Sequence, residues 1–224
     1  MTARVVRLAT GADARLANEG AALAAVLVNG GTAKPVAGTW SATSELLARE
    51  LAGRHPSVSF AEVRYRVKSW NALDSCMSDA RAALDLATAL GAARALLIGF
   101  SMGGAVSIGV AAHPAVVGVL GLAPWIPDAL PLAGLRGRRL DVVHGAWDRW
   151  LPGIPGVSPR SSRRGFERAR ALGVPGTYTV LERGLHGAAV RGPSGQLVRL
   201  PRWRGWVDQV DLALGRFAAD APPA

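Results

Sequence analysis

Short apolar runs alternate along this chain with stretches of helical periodicity, and this alternation constrains the fold more than any other feature. The predicted strands lie at 23–31, 58–67, 93–100, 115–124, 138–145 and 176–183, and the predicted helices at 41–54, 78–91, 101–112, 162–172 and 203–218. Strands that alternate with helices predict βαβ units. The strand cores are nearly continuous Val, Leu, Ile and Ala, as in strands buried on both faces. The sequence therefore predicts an α/β fold, with a mostly parallel, doubly wound sheet and helices on both faces.

The length and composition indicate one domain over 1–224. Half of the residues are hydrophobic and 19% are charged, so the chain can bury a large core. No internal repeat, low-complexity linker or shift in composition marks a second domain.

One cysteine and a short apolar N-terminal run limit the compartment and the chemistry. Cys76 is the single cysteine, which excludes an internal disulfide and a thiol cluster, and we interpret it as a packing residue. The N-terminus lacks the apolar core of a signal peptide, and the run at 21–28 is too short to span a bilayer. We expect a soluble, cytoplasmic protein that uses no metal and no cofactor.

The net charge of +10 comes almost entirely from arginine. The densest cluster, "SPRSSRRGFERARALG" at 158–173, could attract phosphates or an anionic surface. The alternative, which we favour, is the solvated face of a helix with Phe166, Ala169 and Leu172 turned inward. Because no nucleic-acid-binding motif accompanies the charge, we expect neither a nucleic acid nor a membrane as partner.

The segment "GFSMGG" places Ser101 at the junction of a predicted strand and a predicted helix. Gly-x-Ser-x-Gly is weak evidence by itself. A sharp strand-to-helix turn, however, brings the residues two before and two after the serine together, and Gly99 and Gly103 have no Cβ to clash. The amides that begin the helix would also face a developing oxyanion. Ser101 is therefore a candidate nucleophile.

A nucleophilic serine needs a base, and the chain has four histidines. His55 and His113 each precede a proline at a helix end and are interpreted as boundary residues. His186 follows a predicted strand in a loop, from which a side chain can reach the serine. His144 ends a predicted strand and is kept as the less favoured base.

The orienting carboxylate has three candidates. Asp148 lies in the loop after the strand 138–145 and is favoured. Asp141 lies inside that strand and would be misplaced, and Asp128 in "PWIPDALP" is a weaker alternative.

With these residues in view, the chain resembles the α/β-hydrolase superfamily. Ser101, Asp148 and His186, in that order and each after a strand, are similar to its catalytic triad. The segments "GFSMGG", "HGAWD" and "GLHG" resemble its nucleophile elbow, acid loop and histidine loop, and "VLVNGGT" resembles its oxyanion loop. The resemblance covers about residues 20–218.

The resemblance also implies how the reaction proceeds. The amides of Gly31 and Met102 would hold the oxyanion, although Asn29 stands where many members carry histidine. His186 would take the proton of Ser101 during attack on a carbonyl, and Asp148 would orient the imidazole. We predict a carboxylic-ester hydrolase that acts on a small-molecule ester. An amidase, a peptidase, an acyltransferase or a non-catalytic binding protein are the alternatives.

Five tryptophans follow predicted strands and would line an apolar acyl pocket, namely Trp40, Trp70, Trp125, Trp147 and Trp150. About a dozen residues separate the strands 115–124 and 138–145, which leaves no room for the cap domain that many α/β-hydrolases insert there. We therefore expect a shallow, open site.

Overall fold

The structure is a computed structural model that describes residues 3–148 and 156–220. Its strands are β1 (Arg4–Arg7), β2 (Asp13–Ala17), β3 (Leu23–Val28), β4 (Val36–Ala37), β5 (Val58–Arg64), β6 (Val67–Lys68), β7 (Arg94–Phe100), β8 (Val116–Leu122), β9 (Arg139–Gly145), β10 (Tyr178–Leu181), β11 (Ala189–Arg191) and β12 (Leu197–Arg199). Its α-helices are α1 (Ala42–Leu51), α2 (Leu73–Ala89), α3 (Met102–Val110), α4 (Pro159–Ala171) and α5 (Trp203–Ala219).

Eight strands form one sheet in the order β1-β2-β5-β3-β7-β8-β9-β10. Six neighbouring strands are parallel to one another, in the order β5, β3, β7, β8, β9 and β10. At one edge, β1 pairs antiparallel with β2, and β2 pairs antiparallel with β5. Two small antiparallel pairs, β4 with β6 and β11 with β12, lie outside the sheet. The mostly parallel sheet confirms the predicted fold class. The strands β1, β2, β11 and β12 were not predicted, because they are short and β1 is largely exposed.

Helices cover both faces of the sheet. One buried cluster joins α2, α3 and α4 to one face, and a second joins α1 and α5 to the other. This arrangement places the carboxyl ends of β3, β7, β9 and β10 at one edge, where loops carry functional groups in such sheets.

Two local predictions about helices were wrong. Helix α2 begins at Leu73 rather than Ser78, because a 3-10 turn at Trp70–Ala72, capped by Ser69, leads into it. Ser78 instead donates its hydroxyl to the Asp74 carbonyl within the helix. On α4, Phe166 and Ala169 pack inward as predicted, but Leu172 just after the helix is 47% exposed.

The arginines of α4 mostly face solvent, as the favoured interpretation predicted: Arg160, Arg163, Arg164 and Arg170 are exposed, and only Arg168 is half-buried. Arg168 donates to the carbonyls of Pro127 and Leu130, and Arg163 lies over the Tyr178 ring. Within the described ranges, no helix is long and apolar enough to cross a membrane. The cytoplasmic location stays a prediction, as does the single domain over 1–224.

Candidate active site

Ser101 lies between β7 and α3 in a strained backbone conformation. Its φ of 54° and ψ of −120° belong to a region that non-glycine residues rarely occupy. Such strain costs about 1–3 kcal/mol and persists only where the surrounding structure enforces it. The Ser101 amide donates to Leu122 of the neighbouring strand, and the Ser101 carbonyl accepts from Gly104 and Trp125. The turn is thus held on both sides of the serine.

The two glycines of the motif permit this turn. A Cβ on Gly99 would overlap the carbonyl oxygen of Gly103, and a Cβ on Gly103 would overlap the carbonyl oxygen of Val28. The turn therefore packs on itself and on the end of β3.

The loop after β3 lies against the serine. A Cβ on Gly30 would stand 3.4 Å from the Ser101 Cβ, and one on Gly31 would overlap the Met102 sulfur. Met102 is the first residue of α3, so its amide has no acceptor within the helix. The structure thus brings Gly31 against the side chain of Met102, the residue that follows Ser101; Gly31 and Met102 are the two residues predicted for the oxyanion hole.

Asp148 and His186 meet at the carboxyl ends of β9 and β10. The Asp148 Oδ2 lies 2.7 Å from the His186 Nδ1. The His186 ring packs on Phe100, the residue before the serine, with 5.0 Å between ring centroids. No hydrogen bond joins the Ser101 hydroxyl to His186 in this conformation, within the part of the chain that the structure describes. Such bonds are commonly long in unliganded enzymes and tighten when substrate binds.

Two opposing effects set the pKa of Asp148. Burial raises it, but the hydrogen bonds to His144 and His186 outweigh burial and hold the pKa below its usual value. Asp148 is therefore a carboxylate at neutral pH, as an acceptor for the His186 N–H must be.

His144, the less favoured base, is fully buried and points away from solvent. Its Nε2 lies 2.9 Å from the Asp148 Oδ2 and 2.8 Å from the Val157 carbonyl oxygen. His144 therefore contacts the carboxylate from the protein interior, out of reach of solvent. Its contact with Asp148 was not predicted, although the four-residue spacing in "HGAWD" was a signal that could have indicated it.

Thr43 holds the histidine loop, and the sequence analysis did not indicate this contact. The cap of α1 is Ser41, whose hydroxyl accepts from the Ser44 amide. The Thr43 hydroxyl is buried and accepts from the amides of Ala188 and Ala189, two and three residues after His186. This contact between α1 and the loop fixes the backbone that carries the imidazole.

The other candidate acids and histidines have different partners. Asp141 accepts two N–H groups from Arg139 at 2.6 and 2.9 Å, and Asp128 is 74% exposed and lies 3.7 Å from Arg168. His55 and His113 pair with Asp211 and Asp85 at helix ends.

The four predicted tryptophans that the structure describes divide into two groups. The rings of Trp70 and Trp125 lie 6.3 Å apart, next to Gly31 and the Ser101 carbonyl. Trp147 is 52% exposed in the acid loop, one residue before Asp148. Trp40 instead contacts the guanidinium groups of Arg15 and Arg64, which lie 4.5 and 5.0 Å from its ring centroid. Its contacts thus belong to the antiparallel edge of the sheet. Trp150 lies outside the described residues.

The connection between β8 and β9 contains no inserted cap domain. Residues 123–138 hold one 3-10 turn at Ala133–Leu135 before β9 begins. In the described ranges, no group of three His, Cys, Asp or Glu side chains could hold a metal ion.

The chain matches known proteins in its three-dimensional structure but not in its sequence. No model of a known protein family matches the sequence, and no curated protein matches it. A sugar hydrolase from Lactococcus lactis has a similar structure, with a TM-score of 0.71, 17% identity, and coverage of 98% of this chain and 99% of the other. A carboxylesterase from Lactobacillus plantarum matches with a TM-score of 0.67 and 15% identity, over 99% of both chains.

A third structure comes from Xanthomonas campestris and is described as an α/β serine hydrolase without a lid. It matches with a TM-score of 0.63 and 16% identity, over 99% of this chain and 96% of the other. At these identities the likeness shows the fold, and the fold of this protein is that of the α/β-hydrolases.

Proposed function

We propose that this protein is a serine hydrolase that cleaves carboxylic esters of small or short-acyl substrates through an acyl-enzyme. The observation that carries the proposal is the strained Ser101 turn at the same sheet edge as the Asp148–His186 pair. Structural neighbours that are described as a carboxylesterase and a serine hydrolase support it.

The geometry supports a defined role for each residue. His186 donates from Nδ1 to Asp148, which leaves the Nε2 lone pair free to take the proton of Ser101. The serine oxygen attacks the ester carbonyl, the amides of Gly31 and Met102 stabilise the oxyanion, and His186 returns the proton to the leaving alcohol. Water then releases the acyl group by the same steps. Trp70 and Trp125 form the apolar wall for the acyl chain.

The test is covalent labelling by a fluorophosphonate, whose phosphorus an activated serine attacks with loss of fluoride, together with hydrolysis of an aryl acetate. We expect labelling at one position, with labelling and hydrolysis both lost in Ser101→Ala. Ser158→Ala is the matched control, because Ser158 is exposed and its side chain caps nothing at the start of α4. Labelling that survives in Ser101→Ala would overturn the assignment. Faster turnover of an amide or a thioester than of the matching oxygen ester would overturn the ester specificity but keep the nucleophile.

A further inference from the structure

A second histidine shares the carboxylate oxygen that orients His186. The Asp148 Oδ2 is bonded by His186 Nδ1 at 2.7 Å and by His144 Nε2 at 2.9 Å. The His144 Nε2 also lies 2.8 Å from the Val157 carbonyl oxygen. A carboxylate and a carbonyl only accept hydrogen bonds, so the His144 Nε2 must carry a hydrogen.

The other nitrogen of His144 is held by helix α4. The hydroxyl of Ser162, fully buried, lies 2.7 Å from the His144 Nδ1 and 2.7 Å from the Tyr178 hydroxyl. The Pro159 carbonyl lies 2.8 Å from the Tyr178 hydroxyl and 3.1 Å from the Ser162 hydroxyl, so the one hydrogen of Tyr178 is shared between that carbonyl and Ser162 when Ser162 donates to His144. When His144 is neutral, the two acceptor oxygens at Nε2 hold its hydrogen there, so Nδ1 is an acceptor and the Ser162 hydroxyl donates to it.

We propose that His144 is a positioning residue for catalysis, a buried donor that fixes the Asp148 carboxylate in the orientation that His186 requires. The inference rests on the proposed function. A carboxylate with one donor can still rotate about its Cβ–Cγ bond, whereas a second donor on the same oxygen, anchored to α4, removes that freedom. Among the described residues, the charged and titratable groups around His144 are Asp148, which also bonds His186, and Tyr178 with Arg163 on the side of Ser162.

The test compares His144→Leu with His144→Gln. Gln can place an N–H close to the position of the imidazole Nε2, whereas Leu has a similar volume and no donor. We expect Leu to lower kcat for an aryl acetate at least about tenfold, but less than the roughly 10⁴-fold loss that a wrong imidazole tautomer causes. KM should stay unchanged, and Gln should recover most of the loss. Equal losses in both variants, or a loss of kcat that follows the loss in Tm, would overturn the proposal.

A second measurement separates this inference from the proposed function. In ¹⁵N-labelled protein, the His144 Nε2 should show the chemical shift of a protonated nitrogen, with a slowly exchanging hydrogen that disappears in both variants. A lone-pair shift at Nε2 would exclude His144 as the donor, whatever the enzyme does. If the wild-type protein hydrolyses no ester and Ser101 is not labelled, the proposed function is wrong. The ¹⁵N chemical shift of His144 Nε2 still shows whether His144 donates a hydrogen bond to Asp148.

Discussion

Single side chains determine whether the proposed active site can catalyse the reaction. The role of Asp148 is the one that mutation tests most directly. The Asp148 carboxylate is buried. It stays ionised because the imidazoles of His144 and His186 both hydrogen-bond to it. The other candidate acids have different partners. Asp141 accepts hydrogen bonds from Arg139 and Thr177, and Asp128 is exposed and lies near Arg168.

We predict that Asp148→Asn lowers kcat by roughly 10³–10⁴-fold, because an amide can donate to His186 and stabilise the wrong tautomer. Asp141→Asn should change mainly the free energy of unfolding, and Asp128→Asn should change neither quantity. Steady-state kinetics and urea unfolding of the three variants provide the measurement. A larger loss of kcat in Asp128→Asn than in Asp148→Asn would show that the acid is assigned to the wrong loop.

A second residue-scale effect concerns stability and pH. Glu62 is 2% exposed, and burial raises its pKa to about 7, although two bonds from Arg15 act in the opposite direction. Between about pH 4.5 and 7 the folded protein therefore keeps a proton that the unfolded chain has released. Because the folded state then binds more protons, its free energy of unfolding decreases as pH rises through this range and levels off above pH 7.

We predict that Glu62→Gln removes this part of the pH dependence. Since a tenfold difference in proton affinity corresponds to about 1.4 kcal/mol, the effect is a few kcal/mol at most. Urea unfolding at several pH values between 5 and 8 measures it. Glu182→Gln is the control, because it removes the same charge from an exposed position. The same slope in the wild type and in Glu62→Gln would contradict the prediction.

At the scale of elements, the turn between β7 and α3 is the most constrained junction. It exists because Gly99 meets Gly103, and Gly103 in turn meets the end of β3. A side chain at either position must displace backbone, and backbone in the centre of a sheet cannot move cheaply.

We predict that Gly103→Ala abolishes ester hydrolysis and lowers the Tm. The control is Gly215→Ala in α5, where a Cβ meets nothing within 4 Å. That change should stabilise the protein by up to about 1 kcal/mol, because alanine favours a helix over glycine. Activity and Tm of both variants test the pair, and a Gly103→Ala variant with full activity would refute the account of the turn.

At the scale of the whole molecule, the short connection between β8 and β9 predicts the range of substrates. A methylene contributes about 0.8 kcal/mol only when it is fully buried, and no inserted domain at 123–138 covers a long acyl chain. We expect kcat/KM for aryl esters to rise over the first few acyl carbons and then level off or fall. The rate should show no jump when a short ester passes its solubility limit. A maximum at palmitate, or activation on an emulsion, would indicate a lid.

The sequence by itself determined the alternation of strands and helices, the parallel sheet and the loops in which Ser101, Asp148 and His186 lie. These follow from hydrophobic periodicity and from glycines within a few residues of each other, which are local properties. Only the tertiary structure decided the antiparallel edge strands, the start of α2 and the contact of His144 with Asp148. Thr43 bonds to Ala188, and His144 to Ser162, across residues that no local pattern relates. Such contacts form only when packing brings distant segments together. A buried polar group then forms its hydrogen bonds with the groups that the fold places beside it.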